Sequence, residues 1–182
     1  ANGSDVTVNA GGTFNMNGQS DAIGNVAGAG NITNDAGLTL DDLAVNAAFS
    51  GNLTGGGSLS LRSAISSGSQ TFSGTLNVGT VNVRSRNTSE NSTLVLNGAS
   101  VTANAFSVGE NLSISPTQGQ VSQTGGSVSV SGAFRIGHWP NGVSTYTMNS
   151  GTLTLTGTPS GVVNPGGVGE QNSVAVGLRD AG

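Results

Sequence analysis

The sequence predicts an all-β fold, a β-helix (β-solenoid) whose coils repeat about every 25 residues. Three observations lead to this prediction. Apolar residues alternate with Ser, Thr and Asn in many short runs, Gly separates these runs, and one stretch of the chain overlays the next without a gap. Helix is disfavoured because the chain has no Lys and few Glu, and because no window combines a 3.6-residue period with good helix propensity.

Strands are indicated by period-two alternation. In residues 127–131 and 152–156, Val or Leu occupies every second position, and Ser or Thr fills the others. This pattern places apolar side chains on one face of a strand and hydroxyl groups on the other. Shorter runs follow the same rule and are bounded by Gly, Asn or Ser, which supply turn conformations. These runs are 6–8, 38–40, 58–61, 81–83 and 94–96.

Internal repeats define the coil. Residues 120–132 overlay residues 145–157 at an offset of 25, so that Val121 meets Tyr146 and Val128 meets Leu153. Units this short bury a core only when they are stacked, and about seven would fit in the chain. A β-sandwich is the alternative fold, but the ungapped overlay favours the solenoid. A second landmark is a motif of four residues: an apolar residue, then any residue, then Val or Ile, then Gly. This motif recurs at 76–79, 106–109, 134–137 and 174–177.

The chain is predicted to form one β-solenoid domain over residues 1–182, either whole or as a segment of a longer repeat protein. Residues 1–60 contain the more degenerate repeats, and residues 61–182 contain clearer ones with a loop insertion at 158–172. Residues 177–182 overlay 137–142, so we expect the sequence to stop within a repeat. Open solenoid ends expose unpaired strand edges, which predicts self-association through these ends or stacking on flanking repeats.

Composition argues against several classes of function. The net charge is −4 and all five cationic side chains are Arg, whereas nucleic-acid binding requires clustered cations; we therefore expect no nucleic-acid partner. No apolar run approaches the roughly 18–20 residues that span a bilayer, so no membrane span is expected. The absence of Cys excludes a disulfide framework and is compatible with secretion.

Residues 22–33 (Ala-Ile-Gly-Asn-Val-Ala-Gly-Ala-Gly-Asn-Ile-Thr) resemble the autotransporter-associated β-strand repeats of bacterial passenger domains, and residues 49–61 resemble their continuation. The units at 134–137 and 146–155 are similar to the same broad class. The resemblance implies a right-handed parallel β-helix, export across the envelope to the cell surface or the extracellular space, and a scaffold or adhesive role. It leaves the export route open.

No residue pattern predicts a catalytic, cofactor or metal site. His138, the single His, lies in a turn-forming stretch at 138–142 with no nucleophile or carboxylate partner in a recognisable pattern. The carboxylates are scattered and give no glycosidase-like pair. Residues 166–170 resemble a calcium-binding repeat, but the motif occurs once and Gln171 replaces its Asp, so a Gly-rich loop is the better interpretation.

Trp139 and Tyr146 are the candidate glycan contacts. Trp139 is expected at a loop tip, where an exposed aromatic ring can mark a binding site, and Tyr146 is expected to be half-buried on a strand. The sequence therefore predicts a structural cell-surface or secreted protein without catalytic activity: an adhesin stalk, a matrix component or a self-assembling fibre subunit. The alternative is a glycan-binding or glycan-cleaving β-helix, whose partners would be surface glycans.

Overall fold

A computed structural model describes residues 3–41, 47–63, 68–85, 90–109, 118–137 and 144–156. Every regular element in these ranges is a β-strand. The strands are β1 (Val6–Val8), β2 (Thr13–Asn15), β3 (Ser20–Ile23), β4 (Val26–Gly28), β5 (Asn31–Thr33), β6 (Gly37–Leu40), β7 (Ala47–Phe49), β8 (Asn52–Thr54), β9 (Ser58–Ser63), β10 (Gly68–Phe72), β11 (Thr75–Ser85), β12 (Ser92–Leu96), β13 (Ser100–Val108), β14 (Gly119–Val130), β15 (Phe134–Ile136) and β16 (Thr145–Leu155).

Parallel pairing joins all of these strands into a β-solenoid with coils about 24 residues apart. The predicted all-β solenoid is therefore confirmed, and the β-sandwich alternative is wrong because sandwiches are built from antiparallel strands. Within the described ranges, no helix is long and apolar enough to cross a membrane. The right-handed sense of the coil remains an expectation, in keeping with the usual hand of parallel crossovers.

Each coil runs over three faces. The first face stacks β1, β4, β7, β10 and β12, followed by the opening residues of β14 and β16. The second face stacks β2, β5 and β8, followed by residues 75–78 of β11, 100–103 of β13, 127–130 of β14 and 152–155 of β16. The third face stacks β3, β6 and β9, the later residues of β11 and β13, and β15.

Apolar columns fill the interior, because residues in parallel register point to the same side of the sheet. On the third face one column contains Leu38, Leu59, Val81 and Phe106, all fully buried. On the first face the rings of Phe49 and Phe72 meet edge to face with centroids 6.0 Å apart. Burying a side chain of this kind contributes roughly 1.5–3 kcal/mol relative to its exposure, so the columns are the main source of stability.

Stacked glycines form the tight corner between the first and second faces. Gly30, Gly51 and Gly74 follow one another in successive coils, and a Cβ on Gly51 would overlap the carbonyl oxygen of Gly30. A Cβ on Gly74 would overlap the carbonyl oxygen of Gly51 in the same way. The coils approach so closely here that any side chain would separate them, which explains why Gly punctuates the sequence at these positions.

The predicted overlay of residues 120–132 on 145–157 is confirmed. Val121 pairs with Tyr146 and Val128 pairs with Leu153 on adjacent coils. The register is not continuous, since Thr124 pairs with Ser150 and an irregularity separates the two halves of the pairing. A bulge of this kind turns the strand from one face to the next.

The second landmark predicts the pairing between one pair of coils correctly and the pairing between another pair wrongly. Phe106 pairs with Phe134, as the spacing of 106–109 and 134–137 predicts. Leu76, however, pairs with Val101 on the second face, and the partner of Phe106 is Val81. The motif occurs on two different faces because an apolar pair before a Gly marks any strand that approaches a corner. Residues 174–177, the insertion at 158–172, His138 and Trp139 lie outside the described residues.

Coil length varies along the stack. Thr13 pairs with Asn31 near the start of the chain, whereas Ser100 pairs with Ser127 farther along. The shorter early coils explain why a period of 25 residues is hard to recognise in residues 1–60.

Candidate functional site

The outward side of the second face carries two parallel columns of small polar residues, here called the polar array. Each strand places one array residue before its inward apolar residue and one after it. The first column is Thr13, Asn31, Asn52, Thr75, Ser100, Ser127 and Thr152, and the second column is Asn15, Thr33, Thr54, Asn77, Thr102, Ser129 and Thr154.

The array follows from alternation on strands that are locked in register. Leu53 pairs with Leu76, and Leu76 with Val101, all three being fully or almost fully buried. A slip of one residue would expose this apolar column and bury the polar ones, so the core fixes the position of every array residue. Thr also suits the site because β-branched residues favour strands.

Differences in coil length are absorbed away from the array. β3 ends at Ile23 and β4 begins at Val26, whereas β13 ends at Val108 and β14 begins at Gly119. The longer connections thus lie between the third face and the following first face. Residue-for-residue pairing on the second face is maintained throughout, even though the coils differ in length.

The array has regular spacing in two directions. Neighbouring strands of a sheet lie about 4.8 Å apart, and alternate residues of a strand about 6.6 Å apart. Hydrogen bonds between array residues also order it: Asn52 Nδ2 donates to Asn31 Oδ1 on the adjacent coil at 3.0 Å. Most members are exposed, including Ser100, Thr102 and Thr152. Fixed polar groups therefore repeat on a rectangular net.

The array is electrically neutral. Its members are Ser, Thr and Asn, which have no group that titrates near neutral pH. Its chemistry is consequently hydrogen bonding, with hydroxyls and amides both donating and accepting. Among the described residues no group of three or more His, Cys, Asp or Glu could hold a metal ion.

Charged side chains lie at other places in the fold. Arg62, at the end of β9, donates from Nε to Asp41 Oδ1 at 2.7 Å and from Nη2 to Asp41 Oδ2 at 2.9 Å. The hydrogen bonds that Arg62 donates to Asp41 raise the pKa of Arg62, and burial opposes this effect. Asp5 accepts hydrogen bonds from the backbone and side chain of Asn25 at 2.9 and 3.0 Å. Both carboxylates are engaged in joining successive coils.

Tyr146, one of the two candidate glycan contacts, is half-buried and faces the interior. Its hydroxyl donates to Gln123 Oε1 at 2.6 Å, and its ring packs against Phe106 and Phe134 with centroids 6.0 and 5.5 Å away. Desolvation raises the pKa of Tyr146. Its ring is thus engaged with the core. Since Trp139 lies outside the described residues, glycan contact by this pair remains a prediction.

A buried amide completes the backbone pairing on the first face. Gln70 Nε2 donates to the carbonyl of Val26 at 2.8 Å and to that of Ala47 at 3.2 Å, while Gln70 Oε1 accepts from the Val26 N–H at 3.1 Å. Only Gly28 and Phe49 pair directly between β4 and β7. The Gln70 amide therefore substitutes for a missing peptide group, and its role is structural.

The polar array was not predicted from the sequence, although its signal is present. Alternation predicts hydroxyl groups on the outside of each strand, but only the register aligns them into columns. The signal is the triplet of polar, apolar and polar residues at 13–15, 31–33, 52–54, 75–77, 100–102, 127–129 and 152–154. Comparison of the chain with protein-family models, with curated proteins and with solved structures finds no match.

Proposed function

We propose that this chain is a structural β-solenoid of the bacterial cell surface or extracellular space, without catalytic activity, that serves as an adhesin stalk, a matrix component or a fibre subunit. The observation that carries the proposal is the unbroken ladder from β1 to β16. In a solenoid each coil contacts only its neighbours, so the fold extends along one axis and suits a stalk or a spacer.

The surface chemistry supports this role. A coat of Ser, Thr and Asn is solvated without the net charge that would attract nucleic acids or anionic membranes. The described carboxylates Asp5 and Asp41 hold neighbouring coils together. The resemblance of residues 22–33 to passenger-domain repeats supports export, as does the absence of Cys.

Two measurements test the proposal. In cells that express the parent gene, an antibody against the chain should label the surface or the medium, and added protease should remove the label from intact cells. The purified chain, incubated with a panel of soluble polysaccharides, should release no reducing ends. Reducing-sugar release that disappears in Asp35→Asn or Glu90→Gln, in a protein that still melts like the original, would overturn the non-catalytic role.

Self-association or stacking on flanking repeats is part of the same proposal, because strands at either end of a solenoid have unpaired backbone groups. In such association, one end of a solenoid contacts the opposite end of the next copy. This heterologous contact gives filaments unless the copies close into a ring. Electron microscopy at high protein concentration should show rods or fibres.

Glycan binding is the alternative function. A glycan array probed with the chain and with Trp139→Ala separates the structural role from the glycan-binding one.

A further inference from the structure

The polar array has three properties that restrict what can bind it. It repeats in two dimensions, it has no ionisable group, and it contains no aromatic ring. The first property favours a ligand that is itself a lattice, and the others argue against charged ligands and against stacked sugar rings. From these properties we infer that the array binds the surface of crystalline water, that is, ice.

Binding to ice depends on the spacing and on the number of the polar groups. One hydrogen bond exchanged with water contributes little net free energy, so a single hydroxyl cannot distinguish ice from liquid water. Many groups held at lattice intervals can do so, because their contributions add without a new ordering cost for each one. The array supplies repeats of about 4.8 Å and about 6.6 Å, and the oxygen atoms in planes of hexagonal ice form rectangular nets of similar dimensions.

Charge and shape support the same ligand. Ice is neutral, and so is the array. The charged pair Arg62 and Asp41 lies on the third face, away from the array. Among the described residues, each strand of the second face pairs residue for residue with the next, so no insertion interrupts the array. Phe14, Leu53 and Leu76 support the array from beneath and hold it rigid.

The full chain is tested by ice-affinity partitioning, in which a growing ice front either incorporates or excludes the protein, and by thermal hysteresis. The disruptive variant is Thr102→Lys, which places a long mobile cation in the centre of the array. The matched control is Thr93→Lys, because Thr93 belongs to the same coil but points outward from the first face. Thermal melts of both variants verify folding. Asn77→Lys, on the adjacent strand, repeats the test if Thr102→Lys is unstable.

The original chain and Thr93→Lys should enter the ice and depress its growth temperature, whereas Thr102→Lys should stay in the liquid. Exclusion of the original chain from ice would overturn the inference, as would incorporation of a folded Thr102→Lys. Binding to insoluble cellulose or chitin that is lost in Thr102→Lys, with no ice binding, would overturn it in favour of a crystalline polysaccharide. None of these readouts depends on surface localisation. The result for ice binding therefore leaves the proposed scaffold role to be decided by its own tests.

Discussion

At the scale of single residues, the stacked glycine corner leaves no space for an added methyl group. The carbonyl oxygen of Gly30 lies where a Cβ on Gly51 would be placed. The φ angle of Gly51 is outside the left-handed region. We therefore expect Gly51→Ala to lower the free energy of unfolding by about 1–3 kcal/mol, through overpacking alone. Denaturant unfolding followed by circular dichroism measures this loss.

Gly56→Ala is the control for this prediction. Gly56 is exposed, its φ is also outside the left-handed region, and a Cβ there would have no neighbour within 4 Å. Its stability should change by less than about 0.5 kcal/mol. Equal losses in the two variants would mean that the corner does not depend on close approach of the coils.

Tyr146 should control stability at alkaline pH. Burial raises its pKa in the folded state above the ordinary value, so the folded chain binds the phenolic proton more tightly than the unfolded chain does. The stabilisation from this proton is complete below the ordinary tyrosine pKa of about 10 and is lost as pH rises beyond it. The chain has one Tyr, no Lys and no Cys, which makes the effect unusually easy to isolate.

The test is urea unfolding at neutral pH and above pH 10 for the original chain and for Tyr146→Phe. The original chain should lose stability in the alkaline range, and Tyr146→Phe should be much less dependent on pH. At neutral pH the variant should be less stable by about 1 kcal/mol or more, because buried Gln123 loses the hydroxyl bonded at 2.6 Å. A variant that keeps the full alkaline loss would contradict this account.

At the scale of strands, Gln70 shows why a polar residue occupies an apolar column. It pairs with Ala47 on one side and with Leu94 on the other, and Leu at position 70 would fit the pattern better. Nevertheless, we expect Gln70→Leu to destabilise the fold by about 1–3 kcal/mol, because the N–H and C=O of Val26 would lose their buried partner. Gln120→Leu, on the outward side of β14, should change stability little, and chemical denaturation compares the two.

Strand-level prediction succeeded where alternation and repeat coincided. The overlay of 120–132 on 145–157 predicts the observed pairing of Val121 with Tyr146, because both coils have the same length and pattern. It failed for Leu76, which pairs with Val101. A four-residue motif contains no information about which face a strand occupies, and that depends on the lengths of all preceding turns.

At the scale of the whole molecule, the fold was predictable and the candidate site was not. Inward residues such as Leu53 and Val128 are set by local alternation, which the sequence displays directly. The polar array depends on the register between coils of unequal length, for example Thr13 with Asn31 and Ser100 with Ser127. No fixed period aligns these residues, so the columns emerge only when the strands are paired.

The end of the stack formed by β1, β2 and β3 limits how coils can be added there. Asp21 of β3 is in register with Leu38, the first fully buried member of an apolar column, yet Asp21 itself is exposed. A further apolar coil placed against β3 would bury this carboxylate at a cost in free energy. Asp21 therefore weakens the end-to-end association proposed above, without abolishing it. Asp21→Leu should therefore promote end-to-end assembly, detected by sedimentation velocity as larger species that increase with concentration.

Ala22→Leu adds the same apolar group to the outward side of the same strand and should leave the sedimentation unchanged. If both variants assemble equally, general hydrophobicity explains the result, and the edge is not protected by its charge.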